Sequence, residues 1–308
     1  MPVQPNFPVA SSFAGTAAGF YISAALKQAN SLDYMTLMEN VKFKQNIQRI
    51  EGASLITAAA CDFTSAGTLT MSEKVLEPKN LMINLDICRL QLLSSWESLQ
   101  MKAGAGAATP PSFNDYVISH IGEIIAAQTE TNIWNGTGAA GTFNGFLGAA
   151  TGWLQAGVDA TVVQSTASGA YTAANIIANL NTLVADILGG TAANVLGKED
   201  AYIYMNNKTF QFYISALSAL GYVHTYTDGE FAMRFEGIKI AVCNGMVDNE
   251  MVYAESSNLY AGTDLISDST RIDLLDMSKL DASDNMRLVA RYSMGTQTGV
   301  GADIVRQS

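Results

Sequence analysis

Apolar positions change their spacing from segment to segment, and the changes mark out the elements. Phe113, Val117, Ile121 and Ile124, with Gln128, follow a helical repeat, and Ile118 and Ile125 add a second stripe. Pro110-Pro111 stops the preceding chain, and Ser112 with Asp115 three residues on reads as a capping box. The spacing predicts a helix over Phe113–Trp134, 22 residues and about 33 Å long, closed by Asn135-Gly136. Its two stripes suit a spine packed on both sides. Ile176, Ile177, Leu180, Leu183, Val184, Ile187 and Leu188 keep to one face of a second helix, Thr172–Leu188, with Thr172 as cap and Gly189-Gly190 as stop. A third is expected at Lys208–Leu220, with Gly221 just past its end.

Elsewhere the period shortens to two. Val41, Phe43 and Ile47 alternate imperfectly, and Thr68–Met71 with Val75-Leu76 read as a strand returning after the Ala-rich stretch 57–67. Such a two-stranded excursion has little core of its own, and isolated strand pairs are marginal in water. Asn80–Ile87 alternates and is expected to lead into a short helix, Cys88–Leu99. Ala201–Met205 reads as a buried strand; Phe235–Val242, Met251–Ala254, Arg271–Leu275, Met286–Met294 and a short final Ala302–Val305 complete the set. The order shows no regular strand–helix alternation and no internal repeat, so the fold class is α+β.

Composition sharpens this picture. The 308 residues are 48% apolar and only 15% charged, well below the usual quarter, so much of the surface must be uncharged or covered. The aromatic and aliphatic content excludes global disorder. No stretch approaches the roughly 18 consecutive apolar residues of a membrane-spanning helix. A net charge of −11 argues against a protein that works by gripping phosphates, and residues 103–197 hold no Lys or Arg at all. Lys42, Lys44, Arg49 and Lys74 lie among Glu39, Glu51, Glu73 and Glu77 on the two-stranded excursion. That mixture is either a solvated face or a surface charge-matched to a neighbouring subunit. Residues 1–31 lack the positive charge that opens a secretory signal. They read either as a frayed terminus or as an arm that docks elsewhere through Phe7, Phe13, Phe20 and Tyr21.

Candidate chemistry is sparse. Gly136–Gly141 matches GxGxxG, but it follows a helix where dinucleotide binding needs a strand before it and a helix after it, so it reads as a flexible turn. His120 has Glu123 at i+3 and no evident nucleophile. Asp281–Asn285 lacks the Gly and terminal Glu of a calcium loop. Cys61, Cys88 and Cys243 form no CxxC pair, and the sequons at Asn135 and Asn207 matter only in a secreted chain. No catalytic, metal or cofactor site is expected.

The segments Ser112–Val117 and Glu130–Gly136, then Phe143–Gly148, Phe235–Ile240, Ser257–Asp264 and Asp284–Tyr292, together resemble the major capsid proteins of tailed bacteriophages with the Hong-Kong-97-type fold. The likeness is one of order and texture over most of the chain. It implies an N-terminal arm at 1–33, an extended E-loop hairpin at 34–80, a P-domain built on the spine helix at 81–150 and 256–294, and an A-domain at 151–255 and 295–308. It also implies pentamers and hexamers closing into an icosahedral shell around double-stranded DNA without sequence-specific binding, in a virion assembled in the bacterial cytoplasm. A separate scaffolding protein and a portal are the expected partners, since no long charged helical segment precedes the arm. Some relatives crosslink a Lys to an Asn between subunits; Lys42, Lys44 or Lys74 against a neighbour's Asn285 would be the candidates, but no Glu base can be placed and no crosslink is expected. The inter-subunit contacts expected are Phe13, Phe20 and Tyr21 in the arm and Phe43, Lys44 and Arg49 in the hairpin, and deleting residues 1–25 is expected to leave a folded subunit without stable shells. An encapsulin-like compartment and, with less support, a surface or adhesin protein are the alternatives.

Overall fold

The continuous apolar run at 201–205 has a simple cause: it is covered on both faces. In the computed structural model of the protein, which describes residues 30–53, 56, 58, 59, 61, 67–88, 111–221, 234–264, 271–277, 283 and 285–308, this run lies inside a six-stranded sheet. The expected arm, with Phe13, Phe20 and Tyr21, and the expected helix beyond Cys88 lie outside the described residues.

In chain order the first half supplies β1 (Thr36–Met38), β2 (Gln45–Ala53), β3 (Thr68–Leu76), β4 (Lys79–Cys88) and α1 (Pro111–Asn135). The second supplies β5 (Val163–Ser165), α2 (Ile176–Gly189), β6 (Ala201–Met205), α3 (Asn207–Ala219), β7 (Arg234–Phe235), β8 (Ile238–Val242) and β9 (Met251–Glu255). It ends with β10 (Leu259–Gly262), β11 (Arg271–Asp276), β12 (Asn285–Thr298) and β13 (Val305–Gln307). The six-stranded sheet runs β5-β13-β9-β6-β8-β7. Ala201, Ile203 and Met205 point to the side where Ile176, Leu180, Leu183 and Ile187 of α2 and Phe210 and Tyr213 of α3 close a core. Tyr204, Val252, Ala254 and Ala241 point the other way, into a second core with Trp134, Phe146 and Leu154.

A five-stranded sheet, β1-β10-β12-β11 with β4 also on β12, forms the other layer. The 14-residue β12 links its parts: Asn285–Met294 pairs with β4, and Gly295–Thr298 turns to pair with β10. Ile121 and Ile125 of α1 pack on Leu288 and Ala290 of β12, while Ile133 and Trp134 at its far end enter the second core. The helix therefore does serve two packing surfaces.

Several boundaries differ from the sequence expectation for local reasons. α1 begins at Pro111, so Ser112 lies inside the helix and not ahead of it as a cap; proline suits a first turn, where its missing N–H is not needed. α2 starts at Ile176, because Asn175 Oδ1 accepts from the N–H (2.7 Å) and hydroxyl (3.0 Å) of Thr172 and closes a turn there. Asn206 caps α3 by accepting from Thr209 N at 2.7 Å. The expected single strand 235–242 is a hairpin: Glu236 (φ 47°) and Gly237 (φ 86°) take the left-handed conformation of a two-residue turn between β7 and β8. The expected last strand starts later, at Val305, after one short helical turn at Gly301–Asp303. Cys88 is the last residue of β4.

Candidate assembly surfaces

β2 and β3 pair antiparallel from Gln45↔Leu76 to Ala53↔Thr68 as a sheet of their own. Opposed residues share a face, so the register sorts the ribbon into two. The outer face carries Asn46, Gln48, Ile50, Gly52, Leu69, Met71, Glu73 and Val75, and all eight are exposed. Ile50 (62% exposed) lies opposite Met71 (66%), with Leu69 (68%) beside them. The inner face carries Ile47, Arg49 and Lys74, each half-buried, and the buried Leu76. Leu76 fills the space a side chain would take at Gly262, where an added Cβ would lie 2.6 Å from Leu76 Cδ2.

The inner face is tied to the rest of the chain. Lys74 Nζ lies 2.6 Å from Asp159 Oδ2 and donates to Thr298 Oγ1 at 3.0 Å. Gln297 Nε2 donates to the Val75 carbonyl at 2.8 Å. Burial opposes charge on Asp159, but the Lys74 ammonium and the hydroxyl and N–H of Thr161 outweigh it and hold the carboxyl below the usual range. Arg49 pairs with Glu51 along its own strand and faces Asp303 on the body. Burial nevertheless pushes the Asp303 carboxyl up, with Glu255 and Glu51 adding to it against Arg49 and Lys198.

The three expected hairpin residues thus occupy different settings. Phe43 is 71% exposed in a bend ahead of β2. Lys44 closes the ribbon's base, 3.1 Å from Glu77 and 5.3 Å from the Phe43 ring centre. Arg49 turns towards its own body. Ile50, Leu69 and Met71 were missed by sequence reasoning, although the alternation Thr68-Leu69-Thr70-Met71 carried the signal.

Residues 30 and 31 are anchored around a buried carboxylate. Glu130 in α1 accepts from Ser31 N (3.1 Å), from the Ser31 hydroxyl and from Gly245 N (3.0 Å). Trp134 Nε1 donates to the Ser31 hydroxyl at 2.7 Å, and Asn30 bridges the Val242 carbonyl and Asn244 N. Gly245 has no room for a Cβ, which would meet the Glu130 carbonyl. Burial pushes the nearby Cys243 thiol up to about 12, so it is no nucleophile at neutral pH.

The Gly136–Gly141 loop is pinned, not flexible. Gly136 N donates to Asn132 O at 2.9 Å, Gly138 N to Phe143 O at 3.2 Å, and Lys79 Nζ to Gly138 O at 2.8 Å. These amides face the chain's own carbonyls and cradle no phosphate. His120 falls in α1 with its side chain outside the described set, as does most of the Asp281–Asn285 turn. Among the described residues no group of three or more His, Cys, Asp or Glu is arranged to hold a metal ion, and no helix is long and apolar enough to cross a membrane.

No protein-family model and no curated protein sequence matches the chain. Solved structures do. The capsid of a native GTA particle superposes with a TM-score of 0.59 at 14% identity, covering 93% of this chain and 92% of that one. The capsid of Myoviridae phage XM1 gives 0.59 at 12% identity over 94% and 95%. That of cyanophage P-SCSP1u gives 0.59 at 12% over 95% and 91%. The chain has the capsid fold of tailed phages. At such identities the likeness is one of fold, and it spans nearly the whole of each chain. Within this capsid fold the ribbon's outer face stays bare while its inner face is bonded down.

Proposed function

We propose that the chain is the major capsid protein of a tailed phage, a structural protein whose copies form pentamers and hexamers and close an icosahedral shell around double-stranded DNA. The observation that carries this is the likeness to capsid structures over 93–95% of the chain. The ribbon supports it: four apolar side chains on one exposed face gain burial only against another molecule, and sister copies are the molecules a shell supplies. Many modest contacts per subunit make a shell strong in sum while each contact stays correctable during growth. The net charge of −11 suits a wall along which packaged DNA slides.

The domain assignment follows the same reading. Residues 1–33 serve as the arm and 34–80 as the E-loop. The P-domain takes 81–150 and 256–294, and the A-domain takes 151–255 and 295–308. The six-stranded sheet β5-β13-β9-β6-β8-β7, drawn from residues 163–255 and 305–307, supports the A-domain assignment. A separate scaffolding protein and a portal complete the assembly, which takes place in the host cytoplasm and ends in the virion. The encapsulin and adhesin readings are not favoured, because the solved relatives are phage and GTA capsids.

Expression with the neighbouring genes, followed by negative-stain microscopy, tests the proposal. Closed shells of one size are expected; a chain that stays monomeric at every concentration would overturn it.

A further inference from the structure

Beyond the buried Leu76 at its base, the bonds described between the ribbon and the body are few and polar. Nine residues per strand make a lever about 30 Å long, so a tilt of about 10° at the base moves the tip by about 5 Å. Each apolar contact out there operates over distances shorter than that. The tilt must therefore be set somewhere, and the outer face, being bare, cannot set it within one subunit.

We infer that Lys74 is a positioning residue: its bonds to Asp159 and Thr298 form a strut that holds the ribbon at one angle and so determines the curvature of the shell. The inference rests on the reading of the chain as a shell protein. Its support is geometric. Lys74 stands three pairs in from the register's start, at Ile47↔Lys74, where the ribbon leaves the body, and Nζ reaches two different body elements. The receiving end is rigid: Asp159 Oδ1 accepts from Thr161 N at 3.0 Å and from the Thr161 hydroxyl, and Gly301 leaves it no space to swing. There an added Cβ would lie 2.4 Å from both Asp159 Oδ2 and Thr161 Oγ1. One residue on, Gln297 holds the Val75 carbonyl, and Gln297 is itself fixed by accepting from Thr298 N at 2.9 Å. A charged pair whose side chains are 30% and 14% exposed is screened by solvent less than a surface pair, so it resists bending more. Among the described residues the ion pairs Lys44–Glu77 and Arg49–Glu51 join ribbon residues to one another or to the base, and Arg49 adds to them only a longer-range attraction to Asp303.

Spin labels test this in the unassembled full chain. Cysteines replace Thr68 at the far end of the ribbon and Asn181 on α2, and Ser replaces Cys61 and Cys88. The expected result is one narrow label-to-label distance, which Lys74→Met widens by about 5 Å, the tip displacement estimated above. Lys74→Arg keeps the charge and restores the narrow distance. In assembly, Lys74→Met then gives shells of mixed diameter, and Lys74→Arg gives one diameter. An unchanged narrow distance in Lys74→Met, or uniform shells despite a widened one, overturns the inference. A wild-type chain that makes no shells overturns the functional reading instead, and the distance measurement still decides whether the strut exists.

Discussion

β6 and β3 both carry aliphatic and methionine side chains, yet these end in opposite surroundings. Ile203 and Met205 are sealed between two cores, while Leu69 and Met71 lie bare on the ribbon. Propensity does not separate them. The difference lies in what the rest of the chain provides: α2, α3 and the Trp134 cluster roof the six-stranded sheet on both sides, and nothing described covers the ribbon's outer face. Where burial is internal it holds the subunit together; where it is left open it is free for association under the proposed function. The same hydrophobic free energy, about 25 cal/mol per Å², is thus used inside the subunit in one strand and left unused in the other.

Substitutions that separate the two regions break or sharpen this contrast. The largest effect is expected from Leu69→Asp with Met71→Asp: shell formation is lost in electron micrographs, while the urea midpoint of the free subunit stays put, as for surface changes worth about 0.5 kcal/mol or less. The converse is Leu180→Ala in the α2 core, which costs the free subunit about 2–5 kcal/mol in the same urea titration and leaves the outer face intact. If both variants destabilised the subunit equally, the division of tasks would be wrong. A smaller effect attaches to Glu130→Gln. The amide NH2 then meets the donors of Ser31 or Gly245, at a cost of about 1–3 kcal/mol in urea, with the Ser31 amide less protected in hydrogen exchange. The smallest concerns acid. The Asp159 carboxyl is held below its ordinary value of 3.8, so its contribution is full above that value and drains away as pH falls through the lower, folded value. Acid titration of stability below pH 4 should show this loss in the wild type and a smaller one in Lys74→Met.

The elements that carry their own pattern were legible in the sequence. Ala201–Met205 is apolar throughout because it is central, and the stripes of α2 and the ends of α3 announce one-sided helices. The ribbon was visible as two strands without a core. Its faces were not, because register depends on how the intervening stretch closes, and one step of slip exchanges the faces. That is why Arg49 was expected outward and Ile50 was overlooked. Glu236-Gly237 hid a turn, since glutamate seldom takes a left-handed conformation and the usual signal is Asn-Gly or Asp-Gly. The environments of Glu130 and Lys74 were out of reach for another reason. Their partners Ser31, Gly245 and Asp159 lie 85 to 115 positions away in sequence, and only the packed sheets bring them together.

A ribbon that, among the described residues, has no partner strand at either edge also poses a hazard, for open edges are templates on which identical strands stack into fibrils. In-register stacking of this ribbon would set Arg49 on Arg49, Glu51 on Glu51, Glu73 on Glu73 and Lys74 on Lys74 in successive copies. Each repeat would add like-charge repulsion at every rung, so the charges along both strands act as gatekeepers against the amyloid alternative.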